Sequence, residues 1–431
     1  MAGTGEHDLA QLEGYRAVGG YKALAKALAM SPQAVIDEIS RATLRGRGGA
    51  GFPMGRKASL LARDSGRPVY LVINADESEP GAFKDREVMG LTPHRLIEGC
   101  LITAHAIGST SVFVYIRGEY LREYEVMSEA LAEVRRAGLL EGVSIVLHRG
   151  AGAYICGEET ALLDSLEGRR GQPRPRPPFP PVTGLYDAPT LINNVSTIAL
   201  VPKILELGAE EFAKIGVPSA PGTAVFSISG NVASPGNYER ELGVTLRELV
   251  YGVAGGIADG RELKAVIPGG SSVPVLTPDQ LDTPMDYDSI QAVGSFFGSA
   301  AIIVVDDRCC MVQLALRAAQ FYMHESCGKC TPCREGTRWL VQLLTRIETG
   351  RADAGDLGLL DDVCDRMLGK SLCALGDFAV YPVSSYLRKF RAEFEAHVEE
   401  GACPFGGEST LEGLLAPVDQ HTHDPVAEVP A

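Results

Sequence analysis

No stretch of the 431-residue chain approaches the roughly 20 consecutive apolar residues of a membrane-spanning helix. Any membrane contact is therefore expected to go through partner chains. The opening residues, Met-Ala-Gly-Thr-Gly-Glu-His-Asp, lack both the basic region and the apolar stretch of a secretory signal. Ten cysteines behind such a start imply a reducing compartment, here expected to be the cytoplasm. Positive charge is also short: 40 Lys and Arg stand against 55 Asp and Glu, a net charge of −15. That balance argues against nucleic acid as a ligand. It leaves a dinucleotide open, because backbone donors in one loop can outweigh a global charge. The remaining composition, 45% hydrophobic and 22% charged, is that of a globular protein long enough for two to four domains.

The densest signal is Glu-Ser-Cys-Gly-Lys-Cys-Thr-Pro-Cys-Arg-Glu-Gly-Thr at 325–337. Cys327, Cys330 and Cys333 recur every third residue, so a tight loop can turn three thiolates toward one point. A cubane needs a fourth ligand. Cys373, in the Gly-punctuated turn Gly-Lys-Ser-Leu-Cys-Ala-Leu-Gly-Asp, is the expected one. The pattern is that of a [4Fe–4S] site with three close ligands and one distant. Structural zinc, the alternative, more often uses two separated pairs. Cys364 is the rival fourth ligand, but its surroundings read as helix without a glycine to turn the backbone.

Earlier in the chain, Ser31-Pro32 starts a helix with a capping hydroxyl and a proline at its first position. It leads into Leu-Arg-Gly-Arg-Gly-Gly-Ala-Gly-Phe-Pro-Met-Gly-Arg-Lys at 44–57. Gly46, Gly48 and Gly51 match G-x-G-x-x-G, but a helix precedes them where the dinucleotide fingerprint requires a strand. What survives is physical: a loop this rich in glycine lets backbone approach a planar or phosphorylated ligand closely. A flexible surface loop is the other reading. Strands are expected at 69–74, 111–116 and 143–148, with helices at 92–107 and 120–137 between them. That alternation implies a parallel sheet with ligands beyond the carboxyl ends of its strands. The first strand exits into Asn74-Ala-Asp-Glu-Ser-Glu-Pro-Gly81, whose three carboxylates suit hydroxyl-bearing ligands or a solvated turn. The third exits into a Gly-rich segment and a helix, with Glu158 and Glu159 in its first turn. These two could be ligand contacts or merely complement the helix dipole. The Pro-rich stretch 172–181 reads as a stiff wall holding Arg176 and Phe179 over a ligand, and 190–200 reads as another helix of the same domain.

From 223 the period changes to a small α+β unit compatible with a β-grasp, in which 269–272 reads as a turn. Helices follow near 309–324, 334–348, 356–368 and 380–399. Cys309 and Cys310 fall on apolar helical positions and read as structural. Cys403, His421 and His423 lie in a Pro-, Gly- and acid-rich tail without a partner motif. The expected fold class is thus multidomain α/β. Residues 1–220 form a parallel-sheet domain, 221–305 a β-grasp-like unit, 306–400 a four-helix bundle carrying the cluster, and 401–431 a disordered tail.

Taken together, segments 44–57, 74–81, 150–168 and 177–197 and the four cysteines resemble the family of NADH-binding, FMN-containing subunits of respiratory complex I. The resemblance implies FMN held by Gly46, Arg47, Gly48, Gly49, Ala50 and Gly51, with Asn74, Asp76, Glu77, Tyr154, Gly157, Glu158, Ile192, Asn193, Asn194 and Thr197. It implies NADH over the flavin, touching Phe52, Lys57, Glu79, Glu159, Arg176 and Phe179. Members commonly carry Trp and Phe where this chain has Ala58 and Leu60, and Lys where it has Arg176. The missing aromatics imply weaker stacking of adenine and leave a non-catalytic paralogue as an alternative. Relatives in soluble formate dehydrogenases and hydrogenases often begin with a thioredoxin-like [2Fe–2S] domain. About 44 residues precede the Gly-rich loop here, so that domain is expected on a separate small subunit, beside a large iron–sulfur subunit of a peripheral arm. The implied activity is hydride transfer from NADH to FMN, then single-electron transfer to the cluster and on toward quinone. The implied location is cytoplasmic, against the inner face of the cell membrane. A diaphorase feeding a soluble dehydrogenase is the other implied role.

Overall fold

The structure, a computed structural model, describes residues 6–406. Four parallel strands form its first sheet: β1 (Tyr70–Ala75), β2 (Ser111–Ile116), β3 (Ser144–Arg149) and β4 (Thr190–Asn194), in the order β3-β2-β1-β4. β1 is apolar without alternation because both its faces are covered. Leu71, Ile73 and Ala75 join a core with the helices Pro93–Ile107 and Val195–Leu207. Val72 points the other way, into a core shared with Leu162, Leu163 and the C-terminal helices.

The strand order positions the crevice. The chain runs outward from β1 to β2 to β3, then returns to β4 on the opposite side of β1. The crossovers therefore diverge between β1 and β4, where open parallel sheets bind ligands at their carboxyl ends. Those ends are Asn74 and Asn194, paired in register. The reading of 190–200 as one helix is corrected here. Thr190–Asn194 is a strand, and the helix begins at Val195 after Asn194 caps it by accepting from Ser196 N at 2.9 Å. A short, mostly buried run directly abutting a helix has no period of its own to reveal it.

The second unit is a mixed sheet. Thr223–Gly230 and Ala301–Asp306 pair in parallel at its centre, with Gly236–Glu241 and Leu263–Ile267 antiparallel on the flanks. This is the β-grasp arrangement, first and last strands side by side. Its turn at 269–272 closes with Gly270 N donating to Ala301 O at 2.7 Å.

Among the described residues the C-terminal region has five helices rather than four: Met311–Glu325, Thr331–Glu348, Asp356–Met367, Leu375–Lys389 and Arg391–Glu400. The segment expected as one helix at 380–399 starts earlier and breaks at Phe390, whose φ of −120° is not helical. Cys310 is not on the helix. It is the cap, with Sγ accepting from Gln313 N at 3.4 Å. Residues 401–406, assigned to the tail, pack back on the protein: Phe405 lies under Lys264 Nζ at 4.5 Å, and Cys403 adjoins the helical core. The rest of that tail, with His421 and His423, lies outside the described residues. No helix among the described residues is long and apolar enough to cross a membrane.

Candidate functional site

The Gly-rich segment is a closed loop. Gly46 N donates to Phe52 O at 3.0 Å and Met54 N to Leu44 O at 2.9 Å, and Leu44 and Met54 are buried beneath. Arg47 does not point into the crevice. It is buried, and its guanidinium donates to the carbonyls of Thr223, Pro221 and Arg45 at 2.8–3.0 Å. Its backbone N–H donates to Thr197 Oγ1 at 2.8 Å, which hangs the loop on the helix after β4. Tyr287 of the second unit supports the loop from behind, donating to Gly46 O at 2.6 Å. Gly48 lies so close to Asn194 that a Cβ there would sit 2.7 Å from Asn194 Cβ. Gly49, at φ +126°, meets nothing within 4 Å on its open side. The loop thus offers bare backbone to the crevice between β1 and β4.

The two strand ends differ in what they leave free. Asn74 is spent locally: Nδ2 donates to Gly157 O at 2.8 Å and Oδ1 accepts from Asp76 N at 3.1 Å. Asn194 is spent too, donating to Asp85 Oδ2 at 2.5 Å besides capping its helix. Asn193 is different. It is buried, and its Nδ2 has no protein partner. An orphaned buried amide costs about 1–3 kcal/mol, a cost that a ligand acceptor removes.

The acidic segment after β1 splits into three roles. Asp76 is buried beside Ser78 Oγ at 3.1 Å, and burial pushes its carboxyl up to about 7. Glu77 turns away from the crevice. Its carboxylate accepts from the backbone N–H groups of Lys84, Asp85 and Arg86 at 2.9–3.1 Å and from Tyr120 Oη at 3.2 Å. It caps the Asp85–Leu91 helix and has little capacity left for a ligand. Glu79 crosses to the second unit, accepting from Tyr154 Oη and from Ser272 N, both at 2.8 Å. Its burial raises its pKa as well.

After β3, Tyr154–Gly157 forms a single turn of 3₁₀ helix and Glu159–Leu166 an α-helix. Glu158 is that helix's N-cap, accepting from Thr160 N and Ala161 N at 2.9 Å. The capping alternative therefore describes Glu158, while its other oxygen lies 3.5 Å from Arg176. Glu159 instead pairs with Lys57 Nζ, which also donates to Ile192 O at 2.7 Å. Around this pair, Phe52 is 42% exposed with Arg56 over its ring, and Phe179 is 54% exposed with Arg176 over its ring. Ala58 is buried and Leu60 half exposed.

The four cysteines Cys327, Cys330, Cys333 and Cys373 line one recess with Ile155, Pro173 and Leu375. Gly328, at φ +74°, makes the turn between the first two possible. Cys364 is buried in its helix and does not line the recess. Burial pushes the Cys333 thiol up to about 11 and the Cys373 thiol up to about 12. Such groups become thiolates only against bound positive charge. The Pro-rich stretch is part of the same construction: Lys329 Nζ donates to Pro173 O at 2.7 Å and Gln172 Nε2 to Cys327 O at 3.1 Å. Arg174, donating to Asp164 at 2.8 Å and Gly184 O at 3.0 Å, anchors it to the helix after Glu158.

Several supports were not legible beforehand: Tyr287, Ser272, Arg174 and Asp85. Only Asp85 carried a signal, an acid at a helix start.

The frame just described is shared with known proteins. Residues 39–203 match the family model described as Nuo51 FMN-binding domain, 224–304 the SLBB domain, and 313–397 the NADH-ubiquinone oxidoreductase-F iron-sulfur binding region. The chain is 52% identical over 404 residues to the second F subunit (F 2) of NADH-quinone oxidoreductase from Rhizobium meliloti (strain 1021), covering 91% of this chain and 96% of that one. It is 51% identical over 402 residues to the F subunit of NADH-quinone oxidoreductase from Streptomyces coelicolor, covering 91% and 89%. Among solved structures it is similar to a chain of an NAD+-reducing [NiFe]-hydrogenase in the H2-reduced state. The TM-score there is 0.82 at 36% identity, covering 88% of this chain and 65% of that longer one.

Proposed function

The chain belongs to the family of NADH-quinone oxidoreductase F subunits, and from that premise we propose which of its residues carry the family's work. It is an FMN-dependent electron-input component of an NADH dehydrogenase. When bound, FMN would supply hydride acceptance from NADH, and a [4Fe–4S] cluster held by the four cysteines would supply one-electron transfer onward.

The residues fit both groups. At the end of β4, Asn193 Nδ2 is a buried amide donor without a protein partner, and the glycine loop hangs from Thr197 just after it. The recess gathers the four sulfurs that a cubane requires. In our reading, the backbone of residues 46–51 covers the flavin and Asn193 donates to it. Asp76 accepts from its ribityl hydroxyls. Asn74, Asn194, Thr197, Gly157 and Ile192 hold the walls, and Arg47, Glu77 and Glu158 serve by fixing the loop and the two helix starts. NADH lies between Phe52 and Phe179, its hydroxyls near Glu159 and Glu79 and its phosphates near Lys57 and Arg176. No side chain of the chain needs to act as acid or base, because the transferred group is a hydride.

The observation that carries this reading is the Tyr154–Gly157 turn. Its Tyr154 hydroxyl and Gly157 carbonyl bond the residues of the crevice, while its Ile155 lines the cysteine recess. One turn of backbone separates the two sites, which suits electron transfer between them.

The chain works with partner subunits. We propose that these are a small thioredoxin-like [2Fe–2S] subunit and a large iron–sulfur subunit of a peripheral arm, held in the cytoplasm at the inner face of the membrane. The likeness to a hydrogenase chain supports a second reading, a diaphorase with a soluble acceptor. Domain limits at 220, 305 and 400 belong to the same proposal. The change of sheet and the separate core of the middle unit support the first two, while Cys403 and Phe405, packed on the helical core, extend the last unit past 400.

The test is optical. NADH is added anaerobically to the purified chain loaded with FMN and cluster. Bleaching of the flavin band by NADH and not by NADPH is expected. If the band does not bleach, with or without the iron–sulfur partners added, the electron-input reading fails.

A further inference from the structure

A second constellation of metal-binding side chains lies at the opposite end of the helical region. Met311–Glu325 runs into the cysteine loop and Thr331–Glu348 runs out of it. At a rise of 1.5 Å per residue, their far ends lie roughly 22–26 Å away. There Cys310, Glu348, His397 and Cys403 bring one sulfur, oxygen or nitrogen atom each to within 4.8 Å of one another. They come from four different places: a helix cap, a helix end, the last turn of Arg391–Glu400, and the segment after it.

The distances suit one small ion. Cys310 Sγ lies 3.3 Å from His397 Nε2 and 4.0 Å from Glu348 Oε2, and His397 Nε2 lies 3.4 Å from Glu348 Oε2. Tetrahedral zinc bonds of roughly 2.0–2.3 Å put ligand atoms roughly 3.3–3.8 Å apart. The surrounding hydrogen bonds are those of oriented ligands. His397 Nδ1 lies 2.7 Å from Glu393 O, so the ring donates there and presents the lone pair of Nε2 to the centre. Gln313 Nε2 donates to Glu348 Oε1 at 2.7 Å and to Cys403 Sγ at 3.7 Å, turning Oε2 inward. Gln313 N donates to Cys310 Sγ at 3.4 Å from the first turn of a helix, which orients the sulfur. His397 and Cys310 are fully buried, and Cys403 closes the site from the solvent side.

We propose that Cys310, Glu348, His397 and Cys403 bind one zinc ion in a closed, four-ligand structural site. Two sulfurs, one imidazole and one carboxylate in a tetrahedron are a donor set for a borderline divalent cation, and leave no open position for catalysis. The ion would clasp the far ends of the two helices that carry the cysteine loop and fasten residues 401–406 to them. This does not depend on the assignment of the flavin or the cluster.

The test uses the full chain with its iron–sulfur cluster intact. Zinc and iron are counted after purification and after incubation with equimolar zinc chloride. About one zinc per chain is expected. Cys403→Ser and His397→Gln should lose at least nine-tenths of it while the iron count and the cluster's absorbance stay unchanged. Where a variant folds poorly, the unaltered chain decides. Cobalt chloride added to zinc-free protein that retains its cluster should develop, in difference spectra, the intense visible bands of tetrahedral cobalt with thiolate ligands, and zinc should bleach them. A folded chain that takes up neither ion, a Cys310–Cys403 disulfide found by mass spectrometry, or zinc retained in both variants would overturn the site.

Discussion

Asn74 Nδ2 donates to Gly157 O at 2.8 Å, and this bond joins the end of β1 to the turn whose next-but-one residue back, Ile155, lines the cysteine recess. The same side chain accepts from Asp76 N. Asn74→Ala leaves a carbonyl and an amide without their partners and loosens the wall between the two sites. The expected cost is about 1–3 kcal/mol, read by urea unfolding of the flavin-free chain, together with weaker FMN retention. Iron content should stay at the unaltered level, because no cysteine ligand is touched. Unchanged stability and unchanged flavin retention would contradict the role given to Asn74.

The Lys57–Glu159 pair sits at the mouth of the crevice, between the exposed rings. Glu159→Ala removes a carboxylate that repels a 2′-phosphate and frees Lys57 to meet it. The ratio of NADPH to NADH turnover (kcat/KM) is expected to rise about tenfold, which corresponds to about 1.4 kcal/mol of changed discrimination. A ratio that does not move would remove Glu159 from specificity.

Cys373 and Cys364 set the proposed fourth ligand against a packed thiol. Cys373→Ser should abolish the cluster, seen as loss of iron and of the broad visible absorbance, with FMN still bound. Cys364→Ser should keep the iron and only lower the melting temperature, since Cys364 is buried in a helix face outside the recess. Retention of a full cluster in Cys373→Ser would require a different fourth ligand.

Asp76 makes the stability of the flavin-free chain pH-dependent. Its carboxyl is raised to about 7, first by burial, and this is only partly offset by Ser78 and Arg117, while Glu119 and Glu325 push the same way as burial. Between the ordinary carboxyl range near 4 and about 7, the folded chain keeps a proton that the unfolded chain has released. Its contribution therefore lowers stability as pH rises through that window, by up to about 4 kcal/mol. The difference in unfolding free energy between the flavin-free chain and Asp76→Asn should show that slope. FMN whose hydroxyls donate to Asp76 favours the carboxylate, so flavin affinity should rise from pH 6 to 8 in the unaltered chain and stay flat in Asp76→Asn.

Local spacing made part of this legible in the chain itself. Cys327, Cys330 and Cys333 fall within seven residues, so no distant contact is needed to bring them together. Cys373 stood out from Cys364 because glycines flank it, and the structure puts only Cys373 in the recess. The parallel sheet followed from strands and helices whose periods are strong and separated by clear turns. The strand at Thr190–Asn194 was hidden, because a short, mostly buried run leading straight into a helix has no period that distinguishes strand from helix.

What only the tertiary structure decided is which polar groups are already spoken for. Arg47, Glu77 and Glu158 stand in motifs that point to a ligand, yet their side chains serve backbone carbonyls or helix starts. Asn193, one residue from the saturated Asn194, keeps a donor free. A hydrogen bond is a short-range contact between groups that folding brings together, so the sequence names the candidates but not which of them are left over. The same holds for Cys310, Glu348, His397 and Cys403, whose spacings are far longer than any local motif and which meet only because three helix ends converge.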